Sequence, residues 1–243
     1  MDWIEIDFLQ RRPLAGTIVW LTVAIVAAAM PTAPVRADDP DTAQWLLFDN
    51  PYLAAISPPA ELAYRFEHST ADAKNHGEPF ADEIRIEVGP PDEKHTLNSV
   101  TLDIFTESRN RRIGPLADVS GNPVIMVFLE RDVFHMQART PASLAFLRNT
   151  IRKAMREDAE VENVDIDFDG KTVAGKRVTI APFADQNGAS QFAEFRDKTY
   201  NFTVSKAVPG GIYEIVSVLP NRTGPDETPS VDRLVFTARS VRP

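Results

Sequence analysis

Apolar residues fall on every second position in eight separate runs of this sequence, and this alternation constrains the fold more than any other feature. A period of two puts apolar side chains on one face of a strand, as in antiparallel sheets with one buried face. Asp169-Gly170 and Pro209-Gly210-Gly211 separate neighbouring runs and predict two hairpins, the first closed by a type I′ turn. The predicted strands cover residues 62–67, 84–88, 100–104, 164–168, 173–180, 200–204, 212–219 and 231–238.

Between the third and fourth runs the apolar period becomes that of a helix. Asn122-Pro123 and Thr140-Pro141 each place an N-cap residue before a proline, so they predict helices at 123–138 and 141–157. The predicted fold is α+β. It has a mostly antiparallel curved sheet of about eight strands, such as an open half-barrel, with a central helical pair inserted between strands three and four.

Residues 1–37 have the pattern of a signal peptide. Arg11 and Arg12 precede an apolar run at 14–30, and small residues stand three and one before a cleavage point ahead of Asp38. Cleavage predicts a periplasmic or secreted protein with no stable membrane span. An uncleaved N-terminal anchor is the alternative, and the arginine pair leaves Sec and twin-arginine export both open.

The rest of the chain is predicted to comprise an N-terminal helical or extended segment at 38–59 and a single α+β domain at 60–243. Asn50-Pro51 interrupts the segment, and Ser57-Pro58-Pro59 ends it, because proline cannot continue a helix. The net charge of −9 argues against nucleic-acid binding. The absence of cysteine excludes disulfides, thiolate metal sites, a cysteine nucleophile and an acylated lipoprotein N-terminus.

The first predicted helix is apolar almost all round, so it must be covered on two sides. Cover by the second helix and the N-terminal segment is one explanation. The other is a cavity for an apolar ligand, contacted by Phe128, Phe134 and Met136.

The second predicted helix carries Arg148, Arg152 and Arg156 in one row, four residues apart. Either they form a solvated flank paired with nearby acidic residues, or they bind the phosphate, sulfate or carboxylate group of a ligand. A second basic cluster lies in the predicted loop before the first helix: Arg109, Arg111 and Arg112.

Catalytic patterns are weak. Asp132 and His135 lie one helical turn apart and can supply two metal ligands, but a site needs a third and the sequence shows none nearby. No nucleophile, phosphate-loop or dinucleotide motif is present. We therefore expect no catalytic residue, no metal and no cofactor. Two further sets are expected to be solvated: His68, His76 and His95 in loops, and Asp165, Asp167 and Asp169 on the polar face of a strand.

An exported chain without cysteine, in which strands precede and follow a central helical pair, resembles in element order the lipoprotein-carrier half-barrels of the LolA and LolB type. The resemblance implies a curved open sheet covered by helices, with acyl chains held between them. No site residue is carried over from it.

The sequence favours a non-enzymatic binding or assembly module of the cell envelope. One hypothesis is that it holds an amphiphile between the sheet and the helices. Another is that it binds an envelope protein through an exposed sheet edge or through the aromatic segment around Trp45, Phe48 and Tyr52. An enzyme of unrecognised type, centred on His135, is the remaining alternative.

Overall fold

All eight predicted strands are present, and a ninth joins them. The computed structural model describes residues 41–184, 193–221 and 228–241. The strands are β1 (Ala60–Ser69), β2 (Phe80–Gly89), β3 (Ser99–Ile104), β4 (Arg111–Leu116), β5 (Glu160–Phe168), β6 (Lys171–Ile180), β7 (Thr199–Val204), β8 (Ile212–Leu219) and β9 (Ser230–Val241). The helices are α1 (Ala73–His76), α2 (Val124–Gln137) and α3 (Leu144–Glu157), with shorter helical turns at Trp45–Asp49, Tyr52–Ala55 and Glu107–Arg109.

The strands form one sheet in the order β4-β3-β2-β1-β9-β8-β7-β6-β5. Every neighbouring pair is antiparallel. The sheet is strongly curved. Three strands, β6, β7 and β8, lie between β5 and β9, and yet the rings of Phe168 of β5 and Phe236 of β9 are in contact, with centroids 5.9 Å apart. It does not close, so β4 and β5 are its two edges. The α+β fold with a curved, open antiparallel sheet is therefore confirmed.

The core lies on the concave face of this sheet. In β1 the side chains of Leu62, Tyr64 and Phe66 are buried, whereas Arg65 between them is exposed. Helix α2 packs on this face through Phe128, whose ring centroid lies 6.2 Å from that of Phe66. Helix α3 adds a stripe of buried residues, as its regular apolar period predicts: Leu147, Ile151, Ala154 and Met155.

The prediction of three strands before the helical pair was wrong. Strand β4 lies inside the predicted loop before the first helix, so the pair is inserted between strands four and five. This strand shows no apolar alternation, because it is an edge strand whose residues are all exposed or half-buried. The Gly114-Pro115 sequence also argues against predicting a strand here, because proline within a strand is confined to edges and bulges.

The helix starts differ in detail from those predicted. Helix α2 begins at Val124 with Pro123, not Asn122, at its N-cap position, although Oδ1 of Asn122 accepts a hydrogen bond from the N–H of Val124 at 3.1 Å. Helix α3 begins after Ser143 and not at Thr140-Pro141. The Ser143 hydroxyl accepts from the N–H of Phe146 at 3.1 Å and supplies the N-cap.

Local turns agree with the sequence. Asp169 and Gly170 have φ values of 52° and 69°, which is the pair of left-handed conformations that a type I′ turn requires. As predicted, the segment before β1 is helical, with one turn at Trp45–Asp49 and a second at Tyr52–Ala55. Asn50 and Pro51 interrupt it, and Ser57-Pro58-Pro59 follows its end. It is fixed to the domain by Asn98, whose side-chain amide donates to the carbonyl oxygens of Leu53 and Ile56 at 3.0 Å each.

No helix within residues 41–184, 193–221 and 228–241 has the length and apolar character needed to cross a membrane. The predicted signal peptide at 1–37 lies outside the described residues. The described residues all belong to one compact unit, Pro40–Pro243.

Candidate functional site

The outer edge of β5 is a long, regular backbone edge. All nine residues of β5 pair with β6 without a register shift, from Glu160 opposite Thr179 to Phe168 opposite Lys171. On its other side, no strand among the described residues pairs with β5, because it ends the strand order of the sheet. Such an edge can accept the backbone of an additional strand.

The hairpin fixes which backbone groups of β5 point outward. Phe168 and Lys171 flank the two-residue turn, so they form a hydrogen-bonded pair, and such pairs recur at every second position of an antiparallel ladder. The residues between these pairs direct their N–H and C=O groups away from β6. They are Val161, Asn163, Asp165 and Asp167.

The side chains along this edge differ between the two faces of β5. Asp165 and Asp167 are exposed on one face, as the sequence predicted. On the other face, Ile166 is buried and Val164 and Phe168 are half-buried, with Phe168 against the ring of Phe236. An added strand would therefore meet carboxylates on one face and partly buried apolar groups on the other.

Of the ligand-binding residues predicted on the first helix, Phe128 and Met136 are buried in the core and Phe134 is half-buried. Two shallow grooves, of about 370 Å³ and about 400 Å³, have walls on β1, β2 and β9, and none of these three residues lines either groove. The structure thus places two of the three against other protein side chains. Ligand contact by Phe128, Phe134 and Met136 stays a prediction.

The predicted arginine row lies on α3, and its members have different surroundings. Arg148 donates to both carboxylate oxygens of Glu130 of α2, each at 2.7 Å. Arg152 donates to Asn149 at 3.2 Å, and Arg156 is exposed. Burial and the neighbouring charges of Arg148 and Arg156 lower the pKa of Arg152. Anion binding by this row also stays a prediction.

A buried polar row crosses the concave face of the sheet. His68 of β1 is paired with Asp232 of β9, Asp232 with Ser217 of β8, and Ser217 with Tyr200 of β7. Each of these four residues is at most 9% exposed. Nδ1 of His68 lies 2.6 Å from Oδ1 of Asp232, so these two groups are directly hydrogen-bonded.

Helix α2 adds charges above this row. Arg131 donates to Asp232, and the hydroxyl of Tyr200 donates to Asp132. Lys198 Nζ lies 3.1 Å from Oδ1 of Asp132, which gives the buried carboxylate a cation as partner. Burial raises the pKa of Tyr200 well above its usual value, and the charge of Asp132 raises it further. Burial alone would raise the pKa of Asp232, but the hydrogen bond with His68 and the charge of Arg131 lower it overall.

Helix α2 also brings His135 close to His76, the last residue of α1, with ring centroids 5.5 Å apart. Burial lowers the pKa of His135 to about 4, and burial together with the charge of Arg139 lowers the pKa of His76. Both imidazoles are therefore neutral at pH 7. The expectation that His68 and His76 are solvated was wrong. His68 continues the alternation of Leu62, Tyr64 and Phe66, and that signal identifies it as a core-facing residue.

The polar row contains the residue types of a serine hydrolase triad, but not their arrangement. A triad places histidine between serine and aspartate, so that the imidazole takes the proton of the hydroxyl. Here Asp232 stands between Ser217 and His68, which are two strand spacings, roughly 9.6 Å, apart. The row therefore cannot activate Ser217 as a nucleophile through His68.

No protein family and no curated protein matches this chain. Among solved structures, the chain is similar to the beta-barrel-like protein of the domain of unknown function DUF1849 from Brucella abortus. The match has 6% sequence identity, covers 76% of this chain and 98% of that chain, and has a TM-score of 0.23. A likeness at this level assigns no ligand, activity or partner.

Proposed function

We propose that this chain is an exported, non-enzymatic interaction module of the cell envelope that binds an extended, basic segment of a partner protein at the outer edge of β5. One observation carries the proposal. The outward N–H and C=O groups of Val161, Asn163, Asp165 and Asp167 form a regular row that no described strand occupies. An added strand satisfies such groups with main-chain hydrogen bonds.

Charge and burial define the partner's side chains. Asp165 and Asp167 favour lysine or arginine on one face of the added strand, and the chain's net charge of −9 adds long-range attraction for a basic segment. On the other face, Val164, Ile166 and Phe168 favour aliphatic side chains. The expected partner segment therefore alternates basic and β-branched residues.

The cellular setting of this proposal comes from the sequence. The arginine pair, apolar run and small residues within 1–37 support export by a cleaved signal peptide. N-terminal sequencing of the protein from its native host should begin at Asp38. An intact N-terminus on a membrane-bound protein would contradict export by cleavage and support an anchor.

Peptide binding tests the proposed function. The probe is a labelled ten-residue peptide of alternating lysine and valine, titrated with the full chain and followed by fluorescence anisotropy. A matched peptide with glutamate in place of lysine is the control. We expect saturable 1:1 binding of the lysine peptide and none of the glutamate peptide. Equal affinity for both peptides, or no binding of either, would contradict the proposal.

A second candidate is the holding of an amphiphile between the sheet and the helices, and the arginine row of α3 favours it. Burial lowers the pKa of Arg152 and the charges of Arg148 and Arg156 lower it further, so an anionic head group bound at this row would stabilise the charged form of Arg152. Displacement of a fluorescent fatty acid from delipidated protein measures this activity. If the chain holds an amphiphile, the fluorescent fatty acid should bind saturably and Arg152→Gln should weaken that binding. An absence of displacement would contradict this candidate function.

A further inference from the structure

His76 and His135 come from separate elements and meet at the end of α2. His76 ends the short helix α1 in the connection from β1 to β2, and His135 lies in the last turn of α2. Their ring centroids are 5.5 Å apart and their planes are inclined by 46°. The sequence presented Asp132 and His135 as a ligand pair without a third group, and the fold supplies a second imidazole from 59 residues earlier in the chain.

One nitrogen of each ring is buried without a hydrogen-bond partner among the described residues. These atoms are Nδ1 of His76 and Nε2 of His135. The side chain of His76 is only 10% exposed, so water does not readily compensate for the missing bond. A buried polar atom without a partner destabilises the folded state, and two such atoms in neighbouring rings therefore indicate a shared partner.

We propose that Nδ1 of His76 and Nε2 of His135 bind one divalent transition-metal ion of the kind that prefers imidazole, such as Zn²⁺ or Cu²⁺. A metal–nitrogen distance of about 2.0–2.1 Å and a tetrahedral angle hold two imidazole centroids roughly 5 Å apart, close to the separation observed. No three His, Asp or Glu side chains of the described residues are arranged as a complete site. The described residues therefore supply two of the ion's ligands, and His76 and His135 are the pair that would hold it.

The surroundings of the pair are compatible with a cation. The carboxylates of Asp72, Asp132 and Glu194 act on the two rings, as do the positive charges of Arg131, Arg139 and Lys198. The three carboxylates match the three positive groups in number.

Glu194 is the positioning residue of this site. Its Oε1 lies 3.7 Å from Nε2 of His76, on the opposite side of the ring from Nδ1, and also accepts from Nε of Arg139 at 2.9 Å. A metal on Nδ1 makes the Nε2–H more acidic and strengthens its contact with the carboxylate. Such outer partners fix the ring and typically change metal affinity by about 10–100-fold.

Calorimetric titration of the full, metal-free chain with Zn²⁺ tests the site. We expect one ion per chain and a higher melting temperature in its presence. His76→Ala should weaken binding by at least about tenfold, because loss of a ligand costs no less than loss of its outer partner. Its matched control is His95→Ala, which removes a histidine of the exposed loop that pairs with Asp92 and should leave binding unchanged.

Two further variants and a spectroscopic measurement complete the test. Glu194→Gln, whose side-chain oxygen can still accept from Arg139, should weaken Zn²⁺ binding with at most a small change in the melting temperature of the metal-free chain. Electron paramagnetic resonance of the Cu²⁺-loaded chain should show two coordinating nitrogens, and one in His135→Gln. Absence of Zn²⁺ binding, or binding that survives His76→Ala unchanged, would overturn the proposal.

Discussion

At one edge of the sheet, β5 offers nine residues in unbroken register with its neighbour, whereas at the other edge β4 offers six. The β4 ladder shifts register opposite Val100 and Leu102, and Gly114 there has a φ of 116°. Pro115 also removes one backbone donor. Edge strands that are short, bulged and interrupted by proline resist the addition of another strand.

The charges of the two edges also differ. Arg112 of β4 is bound by Asp103 of β3 and Glu87 of β2, so the basic cluster predicted before the first helix is partly neutralised within the sheet. On β5, Glu162 pairs with Arg177, but Asp165 and Asp167 remain exposed beside the outward backbone groups. Strand β4 is thus unsuited to pairing with an added strand. Strand β5 has a regular backbone edge and exposed carboxylates that favour a basic partner.

Proline at Asp165 should have the largest effect on peptide binding. The outward N–H of Asp165 is lost and the ring obstructs the approaching strand, while the inward bonds to β6 remain. We expect the affinity for the lysine–valine peptide to fall on the order of a hundredfold, or about 2.7 kcal/mol, by anisotropy. Asp165→Thr, which keeps the donor, is the control, and equal losses in both variants would show that the backbone is not the binding element.

Acidification should separate the stability of the core from binding at β5. In the unfolded chain, His135 takes up a proton as the pH falls through about 6.5. In the folded chain, its pKa is about 4, so it takes up the proton only near that pH. The free energy of unfolding therefore decreases as the pH is lowered across this window. Allowing for partial exposure, the free energy of unfolding should drop by about 1.5 kcal/mol between pH 7 and pH 5.

Urea titrations of the parent chain and of His135→Gln measure this difference. The variant should lose the part of the pH dependence that His135 contributes, while the affinity for the peptide at β5 should be unchanged. If the free energy of unfolding of the variant depended on pH as strongly as that of the parent chain, His135 would not be the group that causes the loss of stability.

Removing the two carboxylates should have a smaller effect. Asp165→Asn combined with Asp167→Asn leaves every backbone group in place and removes two cross-strand charge pairs, each contributing about 0.2–1 kcal/mol. We expect peptide affinity to fall by about three- to tenfold, with a weaker dependence on salt. Asp158→Asn, on an exposed residue beyond the end of α3, serves as the control.

The smallest effect is expected at the opposite edge. Arg111→Thr changes an exposed residue of β4 and should alter affinity for the lysine–valine peptide by less than about twofold. A larger change would place the peptide on β4 and remove the distinction between the two edges.

The eight predicted strands were recoverable from sequence because apolar residues alternate along each, and in most of them one face is more buried than the other. Strand β4 was not, because this edge strand has no fully buried residue and therefore shows no apolar period. The start of α3 was misplaced for a local reason: Thr140-Pro141 and Ser143 both provide cap chemistry within four residues, and only the fold selects Ser143.

The candidate sites depend on strand order, which a single sequence does not specify. Asp165 and Asp167 were correctly predicted as exposed, but nothing local shows that their strand is the last in the sheet. His68 and Asp232 meet across 164 positions, because β1 pairs with β9. Contacts of this range arise from packing of the complete domain and have no counterpart in local periodicity.

Amide hydrogen exchange tests the role of the β5 edge most directly. In the free chain, the outward amides of Val161, Asn163, Asp165 and Asp167 should exchange rapidly, and the inward amides of β5 slowly. Saturation with the lysine–valine peptide should slow the four outward amides and leave β4 unchanged. Outward amides that are already protected in the free chain, or that remain fast when the peptide is bound, would contradict strand addition at β5.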